Sequence, residues 1–245
     1  MTTSDVRPLC SLKFKTQGRT YEENLSTLLD LITQTPDNAV VLAPEVCLSN
    51  FDYEAFEQAA GFAVRADRAL RENSLGKTVV LTVIVRREEG YFNAARVYHD
   101  GELIHEQCKS KLFVLGEEDR WFRAGEADAV QVFEVDGVRM GILICFELRF
   151  TALWEQLRGA EVIFVPAQWG HLRAPHFDIL GRALAVANEC YVVQSDTDND
   201  GTSGLSGIVS PFGECIRNES SPVLQLDFDR REVKKMRRYL DTGIR

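Results

Sequence analysis

The feature that most constrains the fold is an alternation of short apolar runs with amphipathic stripes. The runs are apolar at consecutive positions, as in strands that are covered on both faces, and they are Val40–Ala43, Val79–Val85, Gly141–Cys145, Val162–Val165 and Tyr191–Val193. Between them, apolar residues recur at helical spacing from Leu25, from Phe56 and from Phe177. The alternation predicts an α/β chain in which helices cover the sheet.

Two predicted β-hairpins interrupt this alternation. Each has an Asp-Gly pair between its strands, which favours a tight turn, and their strands are Phe92–Tyr98 with Glu102–Cys108 and Val130–Val135 with Val138–Cys145. Antiparallel hairpins among helix-linked strands predict mixed sheets. Because no Pro-rich or Gly/Ser-rich linker divides the chain, we expect one domain over residues 1–245.

Charge and cysteine spacing exclude several functional classes. The net charge of −9 argues against sequence-independent nucleic-acid binding and against a polybasic membrane anchor. The apolar runs are far shorter than the about 20 residues of a membrane-spanning helix, and Met1–Cys10 lacks the pattern of a secretory signal. The six cysteines form no C-x-x-C pair, which argues against structural zinc and a redox dithiol. Because no signal pattern is visible, we expect reduced thiols in the cytoplasm.

Three groups of complementary chemistry follow predicted strands. Glu45 follows Val40–Ala43, Lys109 follows the hairpin strand that ends at Cys108, and Cys145 ends an apolar strand. Ligands bind at the carboxyl ends of strands in helix-covered sheets. A thiol near the start of a helix has a lowered pKa and is a candidate nucleophile, with Glu45 as its base and a lysine as the oxyanion donor.

Each of these residues also has a structural interpretation. Cys145 can be a buried core cysteine and Glu45 a helix cap. Lys109 and Lys111 can be a solvated pair, and the residues alone do not choose between them. If one of these ammonium groups is catalytic, Glu117 is the candidate to hold it in place.

A histidine is the alternative base for the thiol. His176 opens a predicted helix, so a Cys145–His176 pair as in cysteine acyltransferases or peptidases is possible. The papain-type context around the cysteine is absent, however, and so is the glycine pattern of the nucleophile elbow.

Three further side chains are candidates for substrate binding. Arg149 lies four residues after Cys145 and can bind a substrate carboxylate in a bidentate manner, or else form a salt bridge with Glu147. Phe146 and Trp169 can form walls of the pocket, or simply pack in the core.

Five sequence blocks, taken in order, resemble the nitrilase (carbon–nitrogen hydrolase) superfamily. Cys145 lies in a block similar to G-x-x-I-C-Y-D-x-R-F, and Lys109 in one similar to K-x-H-L-F. The five blocks are Pro44-Glu45, Asn93–Gly125, Gly141–Phe150, His176–Val193 and Ser206–Glu214.

The resemblance implies a four-layer α-β-β-α sandwich of two mixed sheets with outer helices, assembled as a homodimer or higher homo-oligomer. It implies Cys145 as nucleophile, Glu45 as general base, Lys109 rather than Lys111 as oxyanion stabiliser, and Glu117 as supporting carboxylate. The activity expected is amidase hydrolysis of small non-peptide C–N bonds, including ω-amide acids. This hydrolysis requires no metal and no organic cofactor. Alternatives are an N-carbamoyl amino acid amidohydrolase, a nitrilase, or a catalytically silent binding protein of the same fold.

Overall fold

A computed structural model describes residues 6–217 and 220–244. Both ends of the predicted domain 1–245, and half of the segment inspected for a secretory signal, lie outside these residues. In the described ranges the strands are β1 (Val6–Leu12), β2 (Val40–Leu42), β3 (Thr78–Arg87), β4 (Gly90–His99), β5 (Glu102–Cys108), β6 (Phe133–Val135), β7 (Val138–Ile142), β8 (Val162–Ala167), β9 (Tyr191–Asp196), β10 (Gly207–Val209), β11 (Cys215–Ile216) and β12 (Val223–Asp229).

The α-helices within the same ranges alternate with these strands. They are α1 (Tyr21–Thr33), α2 (Phe56–Asn73), α3 (Glu118–Trp121), α4 (Thr151–Gln156), α5 (Ala174–Asn188) and α6 (Arg230–Tyr239). The three stripes seen in the sequence lie on α1, α2 and α5. None of the helices described here is long and apolar enough to cross a bilayer.

The strands form two mixed sheets. The first sheet has the order β12-β1-β2-β3-β4-β5 and the second β11-β10-β9-β8-β7-β6. In each, three central strands run parallel and the outer strands pair antiparallel. Both predicted hairpins are confirmed, as β4–β5 and β6–β7.

Alternation along the strands shows how the layers pack. In β2, Val40 and Leu42 face the core between the two sheets. Val41 faces the other way and packs in one cluster with Leu28 of α1 and Phe62 of α2. On the other side, α4 and α5 cover the outer face of the second sheet. Because side chains alternate between the two faces of a strand, strands with no polar face require cover on both sides. The predicted α-β-β-α sandwich is therefore confirmed.

Candidate active site

The site lies where the carboxyl ends of strands from both sheets meet. Glu45 follows β2 and Lys109 follows β5, both in the first sheet, while Cys145 follows β7 in the second. The backbone N–H of Glu45 donates to the carbonyl of Ala167, at the end of β8, at 3.3 Å, which joins the two sheets at this edge. The structure thus brings the three predicted reactive groups into one cluster.

Lys109 is the centre of this cluster and is fully buried. Its Nζ donates to Glu45 Oε1 and to Glu118 Oε1, each at 2.8 Å. Burial lowers the pKa of Lys109, but Glu45, Cys145 and Glu118 outweigh that effect and raise the pKa above its ordinary value. An ammonium has three N–H donors, and these two carboxylates take two of them.

The carboxylate that contacts Lys109 on this side is Glu118, and the predicted contact of Glu117 with Lys109 is not formed. Glu117 is in the left-handed backbone conformation, with φ of 60°, between a short 3₁₀ helix and α3. This turn directs its side chain outward, where it forms an ion pair with Arg120 at 2.7 Å. Glu118, one residue later, points inward and also accepts the N–H of Phe113 at 2.9 Å.

The orientation of Glu45 is fixed by neighbouring donors. Its Oε1 accepts Asn93 Nδ2 at 2.8 Å in addition to Lys109, and its Oε2 accepts the backbone N–H of Gln168 at 3.1 Å. The Cys145 thiol also lies within hydrogen-bonding reach of this carboxylate. Asn93 and Gln168 were not among the predicted site residues.

Cys145 begins a 3₁₀ helix (Cys145–Arg149). Burial, and then Glu45, raise the pKa of the thiol well above its ordinary value, with Lys109 acting in the opposite direction. The expectation of a lowered thiol pKa is therefore wrong. Its φ of 48° is sparsely populated for a non-glycine residue, as is common at functional sites.

A second buried acid joins the lysine loop to the cysteine loop. Glu147 Oε1 accepts the backbone N–H and the hydroxyl of Ser110 at 2.7 and 2.8 Å, and its Oε2 accepts the N–H of Ile144 at 2.7 Å. The Glu147 carboxylate is therefore directed at these donors and not at Arg149. Because Ser110 and Ile144 are the neighbours of Lys109 and Cys145, Glu147 fixes the two loops relative to each other.

The cavity at Cys145 has two lobes. The first, which we call the arginine lobe, is lined by Phe146, Arg149, Trp169 and Arg173. The second, the aromatic lobe, is lined by Phe51, Tyr53, Gly116, Glu45, Glu118 and Asp200–Thr202. Phe113, Cys145, Gln168, Gly170 and Arg173 border both lobes. All three predicted substrate-binding residues therefore lie in the arginine lobe.

Two guanidinium groups share the arginine lobe. Arg149 lies 4.9 Å from the centre of the Trp169 ring and Arg173 lies 5.1 Å from that of Phe113. Burial and the charge of Arg173 lower the pKa of Arg149. Neither guanidinium forms an ion pair with any acid that the structure describes. Arg173 was missed in the sequence because only the fold brings it near Cys145.

His176 occupies a different position from a catalytic base. Its ring is exposed, and Nδ1 faces the Arg149 guanidinium at 3.0 Å. It does not border either lobe. The carboxylate of Glu45 takes the place next to the thiol that a histidine base would require.

Asp196 holds the loops behind the cavity. This buried carboxylate accepts the N–H groups of Trp169, Thr197 and Gly204 at 2.9 to 3.0 Å, and the hydroxyl of Ser203. Burial raises its pKa to about 7, although all four donors favour the carboxylate. Asp196 thereby ties Trp169, in the arginine lobe, to the loop that borders the aromatic lobe.

Comparisons with known proteins agree with this geometry. A sequence model of the carbon–nitrogen hydrolase family matches residues 16–238. This chain belongs to the carbon–nitrogen hydrolase family. The fold and the recognition made from the sequence blocks are therefore confirmed, and the protein is a carbon–nitrogen hydrolase.

Two curated relatives are named as amidases, and one solved structure is named as a member of the nitrilase superfamily. The chain is 27% identical to a deaminated glutathione amidase of Escherichia coli O157:H7, over 90% of each chain. It is 28% identical to a 2-oxoglutaramate amidase of Bacillus subtilis (strain 168), over 81% of each. The structure of Saccharomyces cerevisiae Nit3, in the nitrilase superfamily, matches with a TM-score of 0.86 and 20% identity, over 97% of this chain and 95% of that one.

Proposed function

We propose that this carbon–nitrogen hydrolase cleaves small non-peptide amides that carry a carboxylate, such as ω-amide acids, through a thioester on Cys145. The observation that carries the proposal is the combination of two features of one cavity. These are the buried Glu45–Lys109–Cys145 cluster and two arginines that have no acidic partner among the residues that the structure describes. The relatives named as amidases of deaminated glutathione and of 2-oxoglutaramate support this substrate class.

Glu45 is the general base of the first step. As the neutral Cys145 thiol attacks the amide carbon, Glu45 takes its proton, so the thiolate forms only together with the new C–S bond. Glu45 then gives this proton to the nitrogen of the tetrahedral intermediate. The C–N bond breaks, the amine or ammonia leaves, and a thioester remains.

Lys109 stabilises the oxyanion of the tetrahedral intermediate. Glu45 and Glu118 occupy two of its N–H donors, and the third points to the developing charge together with the backbone N–H of Phe146. In a site from which water is excluded such a donor is worth far more than in solution. The roles of Glu45 and Lys109 repeat when water attacks the thioester and releases the acid and Cys145. No metal or organic cofactor takes part in this scheme.

Arg149 and Arg173 recognise the substrate carboxylate. Planar guanidinium groups bind carboxylates through paired N–H donors, and here two of them face one small lobe. Trp169 and Phe146 form the apolar walls along the acyl chain.

An ammonia-release screen tests this function. It covers an ω-amide acid, an N-carbamoyl acid, a neutral aliphatic amide and a nitrile, each with the parent enzyme and with Cys145→Ala. We expect release from the ω-amide acid that is fastest in the panel and absent in the variant. Release from none of the four would favour a silent binding protein, and preference for the N-carbamoyl acid or the nitrile would assign the alternative reactions.

We also propose that residues 1–245 act as one catalytic domain in the cytoplasm and form a homodimer. Exposed apolar side chains on and beside α5 support the dimer, since Ile179, Val186, Phe212 and Ile216 are each at least 40% exposed. Light scattering after size-exclusion chromatography tests it: a monomeric mass would contradict the proposal.

A further inference from the structure

Asn93 contacts both the candidate base and the residue that follows β5. It lies in β4 and is 1% exposed. Its Nδ2 donates to Glu45 Oε1 at 2.8 Å, and its main-chain carbonyl accepts the backbone N–H of Lys109 at 2.8 Å. A substitution of the side chain therefore removes the contact with Glu45 and keeps the main-chain contact with Lys109.

The contact with Glu45 is the only hydrogen bond of the Asn93 side chain among the residues that the structure describes. The Asn93 Oδ1 is buried and has no partner there. Asn24, another buried asparagine, provides a contrast. Its Nδ2 donates to the main-chain carbonyls of Thr16 and Leu48 at 3.2 and 3.1 Å, so it connects two segments of the fold. Within the described ranges, the Asn93 amide instead bonds to the base alone.

The hydrogen bonds of Glu45 leave one place for a proton. Each oxygen of a carboxylate has two lone pairs that can accept a donor. On Oε1 both are taken, by Lys109 Nζ and by Asn93 Nδ2, each at 2.8 Å. Oε2 accepts one donor, the backbone N–H of Gln168 at 3.1 Å. In the described part of the chain, the free lone pair is therefore on Oε2.

We infer that Asn93 is a positioning residue, which leaves only Oε2 of Glu45 free to take the proton of the Cys145 thiol. The inference rests on the proposed role of Glu45 as the base, and it adds the oxygen that acts and the side chain that selects it. As the S–H bond breaks, its proton forms an O–H bond on Oε2 and its electron pair forms the C–S bond. Without the Asn93 donor, Oε1 has an open lone pair and the carboxylate can rotate about its last bond.

Asn93→Leu tests the inference because leucine has a similar size and no donor. A general base contributes about 100- to 10,000-fold to the rate, and misplacing a catalytic group costs about 100-fold. We expect kcat on succinamic acid, an ω-amide acid, to fall by about 10- to 100-fold with KM within about threefold of the parent value, since no substrate contact is removed. A kcat within about threefold of the parent value would overturn the inference.

Two further variants separate this role from a purely structural one. Asn24→Leu is the matched control, and it should lower the midpoint of urea unfolding while kcat stays at the parent value, because its hydrogen bonds lie in the fold. Asn93→Ala also lacks the donor but has a smaller side chain, so it should show the same fall in kcat as Asn93→Leu. Parent-like kcat in Asn93→Ala would assign the effect to the shape of leucine and overturn the inference.

Alkylation by iodoacetamide measures the activation of the thiol without an amide, so it separates the inference from the proposed function. Mass spectrometry follows Cys145 and, as an internal reference, the half-buried Cys215 of β11. Asn93→Leu should lower the alkylation rate at Cys145 by about 10-fold or more and leave that at Cys215 unchanged. Equal rates at Cys145 in parent and variant would overturn the inference, even if succinamic acid is hydrolysed. If the parent hydrolyses no amide, the proposed function fails, and the alkylation rates still decide the role of Asn93.

Discussion

Two groups of charged side chains at the cavity differ in whether their charges are paired. We call Glu45, Lys109 and Glu118 the floor, and Arg149 and Arg173 the wall. On the floor, Glu45, Lys109 and Glu118 are almost fully buried and each charge has a partner. On the wall, Arg149 and Arg173 are half-buried and have no acidic partner among the described residues. Paired, immobile charges suit chemistry that is common to all substrates, whereas unpaired charges suit selection of a charged substrate.

The largest expected effect is on the floor, at Lys109. Lys109→Ala should lower kcat by about 100- to 1,000-fold on every amide, because it removes an oxyanion donor. It also leaves two buried carboxylates uncompensated, which costs about 3 to 5 kcal/mol of stability. Steady-state kinetics and urea unfolding measure the two effects. A loss confined to carboxylate-bearing amides would contradict the division between floor and wall.

Adjacent glutamates provide the next test. Glu118→Gln should lower kcat by up to about 100-fold, since small displacements of a catalytic group have effects of that size. Glu117→Gln is the matched control because its exposed pair with Arg120 contributes at most about 1 kcal/mol. Both are compared by kcat and KM on one amide. The reverse order of effects would restore Glu117 as the supporting carboxylate.

On the wall, Arg149→Gln should change substrate preference. A hydrogen bond to a charged group contributes about 1.5 to 3 kcal/mol, so kcat/KM on an ω-amide acid should fall by roughly 10- to 100-fold. The fall on a neutral amide of the same length should be smaller. Arg68→Gln, at an 89% exposed side chain, serves as control. Equal losses on both amides would reject carboxylate recognition.

The smallest effect on catalysis is expected at Asp196, behind the wall, where the test is one of stability. With a folded-state pKa of about 7 against an ordinary value of 3.8, the folded protein binds more protons than the unfolded chain between these values. Stability should therefore fall as pH rises from about 4 to 7, with a slope of at most about 1.4 kcal/mol per pH unit. Asp196→Asn should flatten this pH dependence. Asp200→Asn, which changes an exposed carboxylate, is the control and should leave the pH dependence unchanged. Thermal unfolding of both variants across this pH range measures the effect.

Much of the fold could be predicted because its inner strands are apolar on both faces. The β2, β3 and β8 strands appear directly in the sequence as Val- and Ile-rich runs. In contrast, β1 contains Arg7, Pro8 and Ser11, and the mixed composition concealed a strand that lies between β2 and β12. Its polar side chains are buried because partners distant in sequence satisfy them, such as the Gln194 carbonyl that accepts the Ser11 hydroxyl at 2.7 Å.

Residues of the site could be predicted where they follow a strand, as Glu45, Lys109 and Cys145 do. The predicted contact between Glu117 and Lys109 is wrong because the direction of the Glu117 side chain depends on a left-handed backbone conformation, which neither composition nor spacing reveals. Arg173 and Gln168 belong to the cavity only through the packing of β8 and α5 beside Cys145. The prediction of a lowered thiol pKa is wrong because burial raises the pKa by more than the start of a short helix lowers it.

The central claim is that Cys145 forms a thioester with the substrate acyl group. Intact-mass spectrometry after acid quench, during turnover of an ω-amide acid, measures this directly. We expect the protein mass to increase by the acyl group less the displaced thiol hydrogen, and proteolysis to locate this increase in the peptide that contains Cys145. Cys145→Ala should show no increase and should release no ammonia. Ammonia release by Cys145→Ala at the parent rate would contradict the account.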